Sequence, residues 1–189
     1  MNARRPWPLL IVGLMGLLAI GAVVLGLAMA PSTPDLLVHN GAGELLYAPS
    51  LTALYSDKTS GEYIRVIWKA PDQAIESLLK AGPGSPAVRT AHVKGTRATN
   101  ALLPLTKMKT VSGFKAKGSD FTAQLPASSL YTAQRAPQVK GTVSYLVTLH
   151  GQYLVNVVES FHVTTPVGSQ SGAFQYRVTT IAGQPVPGH

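Results

Sequence analysis

Cysteine is absent from this chain of 189 residues. Its absence excludes disulfide bridges, thiolate metal sites and a cysteine nucleophile. A domain folded from such a chain is stabilised by packing and hydrogen bonds alone, and it can fold in an oxidising compartment without pairing errors. The sequence also has no Asn-x-Ser/Thr glycosylation site, which fits a bacterial protein.

Acidic residues are scarce: Asp and Glu number 8 against 16 Lys and Arg, and the formal net charge is +8. Between Ser77 and Ser119 there is no acidic residue. The basic residues of that segment are Lys80, Arg89, Lys94, Arg97, Lys107, Lys109, Lys115 and Lys117. A surface of one sign can attract an anionic membrane, nucleic acid or an acidic partner. Because no aromatic residue lies among these basic residues before Phe114, the stacking surface typical of single-strand binding is missing, and we do not expect nucleic-acid binding.

Catalytic motifs are missing as well. There is no Gly-x-Ser-x-Gly nucleophile motif, and GSQSG at 168–172 has the wrong spacing for one. His150 and His162 could approach each other across a hairpin, but no third metal ligand accompanies them. Glu159 is a single acidic residue in an apolar strand pattern, and we expect it either to pair with Arg177 or to act as an edge charge. We therefore expect no enzymatic activity, no cofactor and no bound metal.

Charged residues are also missing between Arg5 and Asp35, where Leu9–Ala30 is apolar or glycine throughout. This run matches the roughly 20 residues that a helix needs to cross a hydrocarbon core of ~30 Å. Arg4 and Arg5 precede the run, and basic residues favour the cytoplasmic side, while Trp7 is typical of the headgroup layer. The sequence therefore predicts an uncleaved anchor in a bacterial inner membrane, with the N-terminus cytoplasmic and the main domain extracytoplasmic.

A cleaved secretory signal is the alternative for the same segment. Ala28-Met29-Ala30 resembles an Ala-x-Ala cleavage site, and the two preceding arginines would be the charged region of the signal. The apolar run is longer than the roughly 7–15 residues usual in a signal. Pro31 directly after a cleavage site is also unfavourable. Both features favour the anchor.

Alternating apolar residues predict strands in the remainder of the chain. Glu62–Lys69 is the first, because Ile64, Val66 and Trp68 share one face. Further strands are expected at 110–115, 120–125, 142–150, 152–165 and 173–181. The last three should form an antiparallel meander whose second turn runs through 166–172.

One helix is predicted in the extracytoplasmic part, at 71–82. Proline is tolerated at the first helical position, as Pro71 would be, and Asp72 and Glu76 favour the positive end of the helix dipole. Ile75, Leu78 and Leu79 form an apolar stripe. The fold class predicted is α+β, with one transmembrane helix followed by a domain of mainly antiparallel sheet and one short helix.

The chain is divided into five segments by this interpretation. They are a cytoplasmic N-terminus (1–8), a transmembrane helix (9–30), a linker and irregular lead-in (31–61), a β-rich domain (62–182) and a flexible tail (183–189).

A resemblance to a known family lies in the last third of the chain, over 139–182. Two long strands, a turn and a closing strand follow one another there, and the turn reads Thr165-Pro166-Val167-Gly168. Together with one N-terminal membrane helix, this layout resembles the bitopic assembly subunits of bacterial type IV secretion and conjugation systems. The resemblance implies a periplasmic domain like that of nuclear transport factors, and an interaction turn at Thr165, Pro166 and Gly168.

The function expected from this architecture is that of a non-enzymatic scaffold or assembly subunit of an envelope-spanning complex. Its partners would be other membrane-protein subunits, in a homo- or hetero-oligomer at the inner membrane. Two alternatives stay open: an accessory or assembly subunit of a membrane enzyme such as a respiratory complex, and a membrane-anchored periplasmic binding domain.

Overall fold

The structure, a computed structural model, describes residues 33–130 and 136–186. The predicted anchor at 9–30 and its flanking residues Arg4, Arg5 and Trp7 lie outside these ranges. Within the two described ranges, no helix combines the length and the hydropathy needed to cross a bilayer.

The described residues form three α-helices, two 3-10 turns and ten strands. The helices are α1 (Thr33–Leu46), α2 (Thr96–Asn100) and α3 (Leu103–Met108), with 3-10 turns at Ala127–Leu130 and Ala136–Gln138. The strands are β1 (Ser50–Asp57), β2 (Glu62–Lys69), β3 (Gln73–Leu79), β4 (Ala87–Lys94), β5 (Lys115–Lys117), β6 (Asp120–Pro126), β7 (Lys140–His150), β8 (Tyr153–Thr165), β9 (Gly168–Ile181) and β10 (Gln184–Pro185).

All of these strands join one antiparallel sheet. Its order is β4-β3-β2-β1-β9-β8-β7-β6-β5, and β10 pairs with β9. Two meanders, β1–β4 and β5–β9, therefore meet where β1 pairs with β9, with Tyr55 opposite Tyr176. The prediction of a mainly antiparallel α+β domain is confirmed in this form, as are the strand Glu62–Lys69 and the meander of the last long strands.

The core lies between one face of the sheet, called the inner face here, and the helices. Helix α1 contributes Val38 and Leu45, both fully buried, and α3 contributes Leu105 and Met108. The sheet contributes inner-face side chains from both meanders: Tyr55, Val66, Trp68, Ala74, Val93, Tyr145, Val147, Val157, Tyr176 and Val178. Burial of this apolar surface is the main contribution that stabilises the packing of the sheet against the helices.

Helix α1 and strand β1 correct the prediction of an irregular lead-in at 31–61, since they cover 33–46 and 50–57 of that segment. The glycines of α1 weaken its helical signal in the sequence, because glycine lowers helix propensity. Gly41 has a packing reason: a Cβ there would lie 2.9 Å from Leu149 Cδ2 and 3.2 Å from Leu154 N. The helix thus sits close against the β7–β8 hairpin. Asp35 fixes its first turn by accepting a 2.8 Å hydrogen bond from Phe114 N.

The predicted helix at 71–82 is wrong, since Gln73–Leu79 is strand β3, paired with β2 and β4 on its two sides. Its apolar residues fit a helical stripe as well as a strand that carries apolar side chains on both faces, and the neighbouring strands decide between the two. The short helices occur instead at α2 and α3, where loops were expected. The strand predicted at 110–115 is wrong, because 110–114 is not strand and β5 begins only at Lys115. The predicted tail also begins too early, because Val186 is buried and its N–H donates to Thr179 O.

Candidate functional site

The exposed end of the β8–β9 hairpin is the first candidate site, and we call residues 165–171 the β8–β9 tip. Thr165 pairs directly with Gly168, so Pro166 and Val167 alone form the turn. The longer turn expected through 166–172 is therefore wrong, and β9 begins at Gly168. The three residues predicted as an interaction turn, Thr165, Pro166 and Gly168, are thus placed together at one tight corner.

Hydrogen bonds hold this corner in one conformation. Thr165 Oγ1 accepts from Val167 N at 3.3 Å and donates to Gly168 O at 3.2 Å. Gly168 has φ +138°, a backbone conformation that side chains resist. Behind the turn, Thr164 and Ser169 hydroxyls lie 2.9 Å apart across the strands. These contacts define one backbone conformation of the tip.

The tip is also the most exposed apolar point of the described chain. Val167 is 97% exposed. The pairing of β1 with β9 ends at Asp57 and Phe174, so the first residues of β9, 168–173, continue beyond the end of β1 and pass beside the β1–β2 turn. Lys58 N there donates to Ala173 O at 2.8 Å. Beyond this bond, no described strand covers that side of the tip.

A buried ion pair on the inner face is the second notable polar feature. Lys107 Nζ lies 2.9 Å from both carboxylate oxygens of Glu159, and the two side chains are only 18% and 15% exposed. The expected pairing of Glu159 with Arg177 is therefore wrong: Arg177 is exposed and pairs across the sheet with Asn156. Sequence patterns did not identify Lys107 as the partner of Glu159, because the two are 52 residues apart in the chain and Lys107 lies in a segment that suggested a basic surface.

Aromatic residues surround this ion pair. The Lys107 ammonium lies 5.2 Å from the centroid of the Tyr145 ring. Burial raises the pKa of the Tyr145 hydroxyl, and the negative charge of Glu159 raises it further. The Tyr55, Phe174 and Phe161 rings stack in a row with successive centroids 5.7 Å apart. Among the described side chains, the buried polar atoms without a hydrogen-bond partner are Trp68 Nε1, Tyr145 OH and Tyr176 OH.

The two histidines considered as metal ligands do not meet. His162 pairs with Thr142, whereas His150 pairs with Tyr153 at the other end of β7, so the two lie roughly 25 Å apart along the hairpin. His162 Nδ1 instead lies 2.6 Å from Ser171 Oγ. Across 33–130 and 136–186, no three His, Asp or Glu side chains are grouped so that they could hold a metal ion.

Most acidic side chains serve the fold. Apart from Asp35 and Glu159, Asp57 accepts hydrogen bonds from Thr59 N and Ser60 in the β1–β2 turn. Asp120 Oδ1 accepts from Thr148 Oγ1 at 2.7 Å. Glu76 lies 3.8 Å from Arg97, and burial raises its pKa more than that arginine lowers it.

The basic residues between Ser77 and Ser119 do not form one surface. Lys107 is used in the buried ion pair, and Lys109 Nζ lies 5.9 Å from the ring centroid of Tyr47. Arg89 and Lys94 lie on β4 at one edge of the sheet, while Lys115 and Lys117 lie on β5 at the other edge. The positive charge is therefore concentrated on the sheet edges.

Comparisons with known proteins place the fold only loosely. No family model matches this sequence, and no curated protein matches it. Among solved structures, the chain is similar to LprF from Mycobacterium bovis, with a TM-score of 0.46 and 10% identity, covering 85% of this chain and 99% of LprF. It is also similar to short afifavidin, solved with biotin, with a TM-score of 0.25 and 8% identity, covering 74% and 98% of the two chains. Neither likeness is close enough to carry a functional argument.

Proposed function

We propose that this chain is a membrane-anchored, non-enzymatic docking subunit of a bacterial envelope complex. The apolar run Leu9–Ala30 would anchor it, with the described domain on the outer side of the cytoplasmic membrane. The domain then acts by position: it presents the β8–β9 tip to a neighbouring subunit.

The observation that carries this proposal is Val167, exposed on a turn that is held by the hydrogen bonds of Thr165. A contact surface that is ordered in advance loses little conformational entropy on binding, so a small apolar anchor is more effective on it than on a mobile loop. The tip also continues beyond the end of β1, which leaves room for a partner to approach from that side.

The structural use of the acidic residues supports the non-enzymatic part of the proposal. An acid–base or nucleophilic mechanism needs titratable groups that face a substrate and are free to exchange protons. Glu159 and Asp35, the most enclosed carboxylates, are each committed to a contact that positions a helix or a loop.

The complex that we propose first is a type IV secretion or conjugation apparatus. Its support is the sequence resemblance over 139–182, which comprises β7, β8, the Thr165–Gly168 turn and β9. An accessory subunit of a respiratory complex has the same anchored architecture, and the partner decides between the two.

Site-specific photo-crosslinking in cells tests the proposal. A photoreactive amino acid replaces Val167 in the full-length chain, and the control places it at Tyr47, which is 85% exposed at the end of α1. We expect a discrete adduct from position 167 only, and loss of the membrane complex in Gly168→Val, since valine rarely adopts the φ of +138°.

The identity of the cross-linked protein separates the candidate complexes. A secretion ATPase or pore component supports the first, and a haem or copper subunit supports the respiratory alternative. No adduct at position 167, together with an intact complex in Gly168→Val, would show that the tip is not a docking surface.

A membrane-anchored binding domain is the second candidate, favoured by the stacked aromatic row. Phe161 and Phe174 are only half-buried on the inner face and could contact an apolar ligand. Under this function, Phe161→Ala should weaken the binding of an apolar fluorescent dye and leave crosslinking at position 167 unchanged. Equal dye binding by the wild type and by Phe161→Ala would exclude this second function.

A further inference from the structure

Strand β4 forms one edge of the sheet. Along one side it pairs with β3, from Lys94 opposite Gln73 to Ala87 opposite Leu79. Along its other side, no strand within 33–130 or 136–186 pairs with it. Most of its side chains are exposed, including Val88 at 65%. An exposed edge strand offers a row of N–H and C=O groups to which another extended chain can add.

The register shows which backbone groups are offered. Gly95 N donates to Asp72 O at 2.8 Å, next to the Lys94–Gln73 pair. Backbone hydrogen bonds alternate along an antiparallel strand, so alternate residues point them toward β3 and away from it. Thr90, His92 and Lys94 are therefore the residues whose N–H and C=O groups face outward.

The charges along this edge are of one sign. Arg89 and Lys94 lie on β4 itself, and Lys80 and Arg97 lie just before and just after the β4 region. Arg97 is partly engaged with Glu76, but its side chain is 51% exposed. Like charges opposite each other disfavour the pairing of two copies of this edge. An acidic strand meets no such repulsion.

We propose that β4 accepts an extended acidic segment of a partner protein as an additional strand of the sheet. The outward backbone groups of Thr90, His92 and Lys94 supply the main-chain hydrogen bonds. Arg89 and Lys94 lie on opposite faces of the sheet, and each pairs with a carboxylate on its own face of the added strand. Main-chain pairing of this kind gives affinity, while side chains on alternate positions give specificity. The β4 edge is separated from β9 by three strands, so this site is independent of the β8–β9 tip.

A peptide fits this edge better than a membrane surface does. Anionic lipid headgroups would be attracted by Arg89 and Lys94 in the same way, but they have no use for a row of alternating backbone donors and acceptors. The requirement for an outward N–H therefore distinguishes the two kinds of partner.

The test compares His92→Pro with His92→Ala in the full-length chain in a neutral detergent. Proline removes the outward N–H without removing a hydrogen bond to β3, and edge strands tolerate it there. The probe is a fluorescent peptide of about seven valine and glutamate residues, with glutamates placed on both faces of the strand. We expect His92→Ala to bind it like the wild type, and His92→Pro to bind it at least about fivefold more weakly, by fluorescence anisotropy at low salt.

A second variant keeps the backbone intact in case proline disturbs folding. Arg89→Glu combined with Lys94→Glu should weaken binding of the glutamate peptide about tenfold or more and create binding of a matched valine–lysine peptide. Vesicles containing phosphatidylglycerol serve as the membrane probe.

Three results would overturn the proposal. They are equal binding of the glutamate and lysine peptides by the wild type, equal peptide binding by His92→Pro and His92→Ala, and charge-dependent binding to the vesicles without binding to the peptide. These peptide-binding measurements are independent of the crosslinking at Val167. A negative result for the β4 edge therefore leaves the conclusion for the β8–β9 tip unchanged, and the reverse also holds.

Discussion

Breaking the Lys107–Glu159 ion pair should destabilise the domain strongly. In Lys107→Met, the Glu159 carboxylate stays under α3 without its cation, with only 15% of its side chain exposed. Removing one partner of a buried pair costs about 3–5 kcal/mol. Because this pair retains some exposure, we expect a smaller loss, about 2–3 kcal/mol of unfolding free energy. That corresponds to a fall of about 5–10 °C in melting temperature for a domain of this size.

The double variant separates the ion pair from general packing. Replacing both residues by methionine removes the unpaired charge and keeps most of the volume, so Lys107→Met/Glu159→Met should lie within about 1 kcal/mol of the wild type. Lys109→Met is the matched control, since Lys109 is exposed, and it should change stability little.

Urea unfolding in a neutral detergent measures these differences. Trp68 is 3% exposed and reports on the core, and a Trp7→Phe background removes the other tryptophan. Additive effects of Lys107→Met and Glu159→Met would refute the reasoning, because an ion pair between them requires a coupling of about 2 kcal/mol or more.

Three further predictions concern the backbone and pH. Gly41→Ala should destabilise the domain by about 1–2 kcal/mol in the same urea assay, because its Cβ meets the β7–β8 hairpin. Gly43→Ala is the matched control: its Cβ meets nothing within 4 Å, so this change should stabilise α1 by about 0.5–1 kcal/mol. Gly141→Ala should lower the melting temperature sharply, since its Cβ would overlap His162 O; an unchanged melting curve would contradict the β7–β8 register. The pKa of the Glu76 carboxyl is raised, chiefly by burial, so folding favours its protonated form and stability falls as pH rises above the usual value of 4.5. Glu76→Gln should abolish that fall, and its stability relative to the wild type should increase between about pH 4 and about pH 7.

Local patterns predicted the elements whose side chains alternate cleanly. In β2, Val66 and Trp68 face the core and Lys69 faces solvent, so the period of two is visible in the sequence itself. The β8–β9 hairpin was predicted for the same reason, but its turn was expected over 166–172, whereas it consists of Pro166 and Val167 alone. These elements needed no information about distant neighbours.

Elements defined by their neighbours could not be predicted. Gly41 weakens the helical pattern of α1, and its purpose becomes visible only where the helix touches Leu149 and Leu154. The apolar residues of β3 fit two periods, and only the presence of β2 and β4 on either side selects the strand.

The sequence by itself determined that this protein has no cysteine chemistry, an excess of positive charge, a long apolar run near its N-terminus and a β-rich remainder. Those properties depend on composition and on spacing over a few residues. The tertiary structure decided which charges are buried, which strand is an edge and which turn is exposed, as for Lys107, β4 and Val167. These depend on contacts between residues far apart in the chain, and no local pattern encodes them.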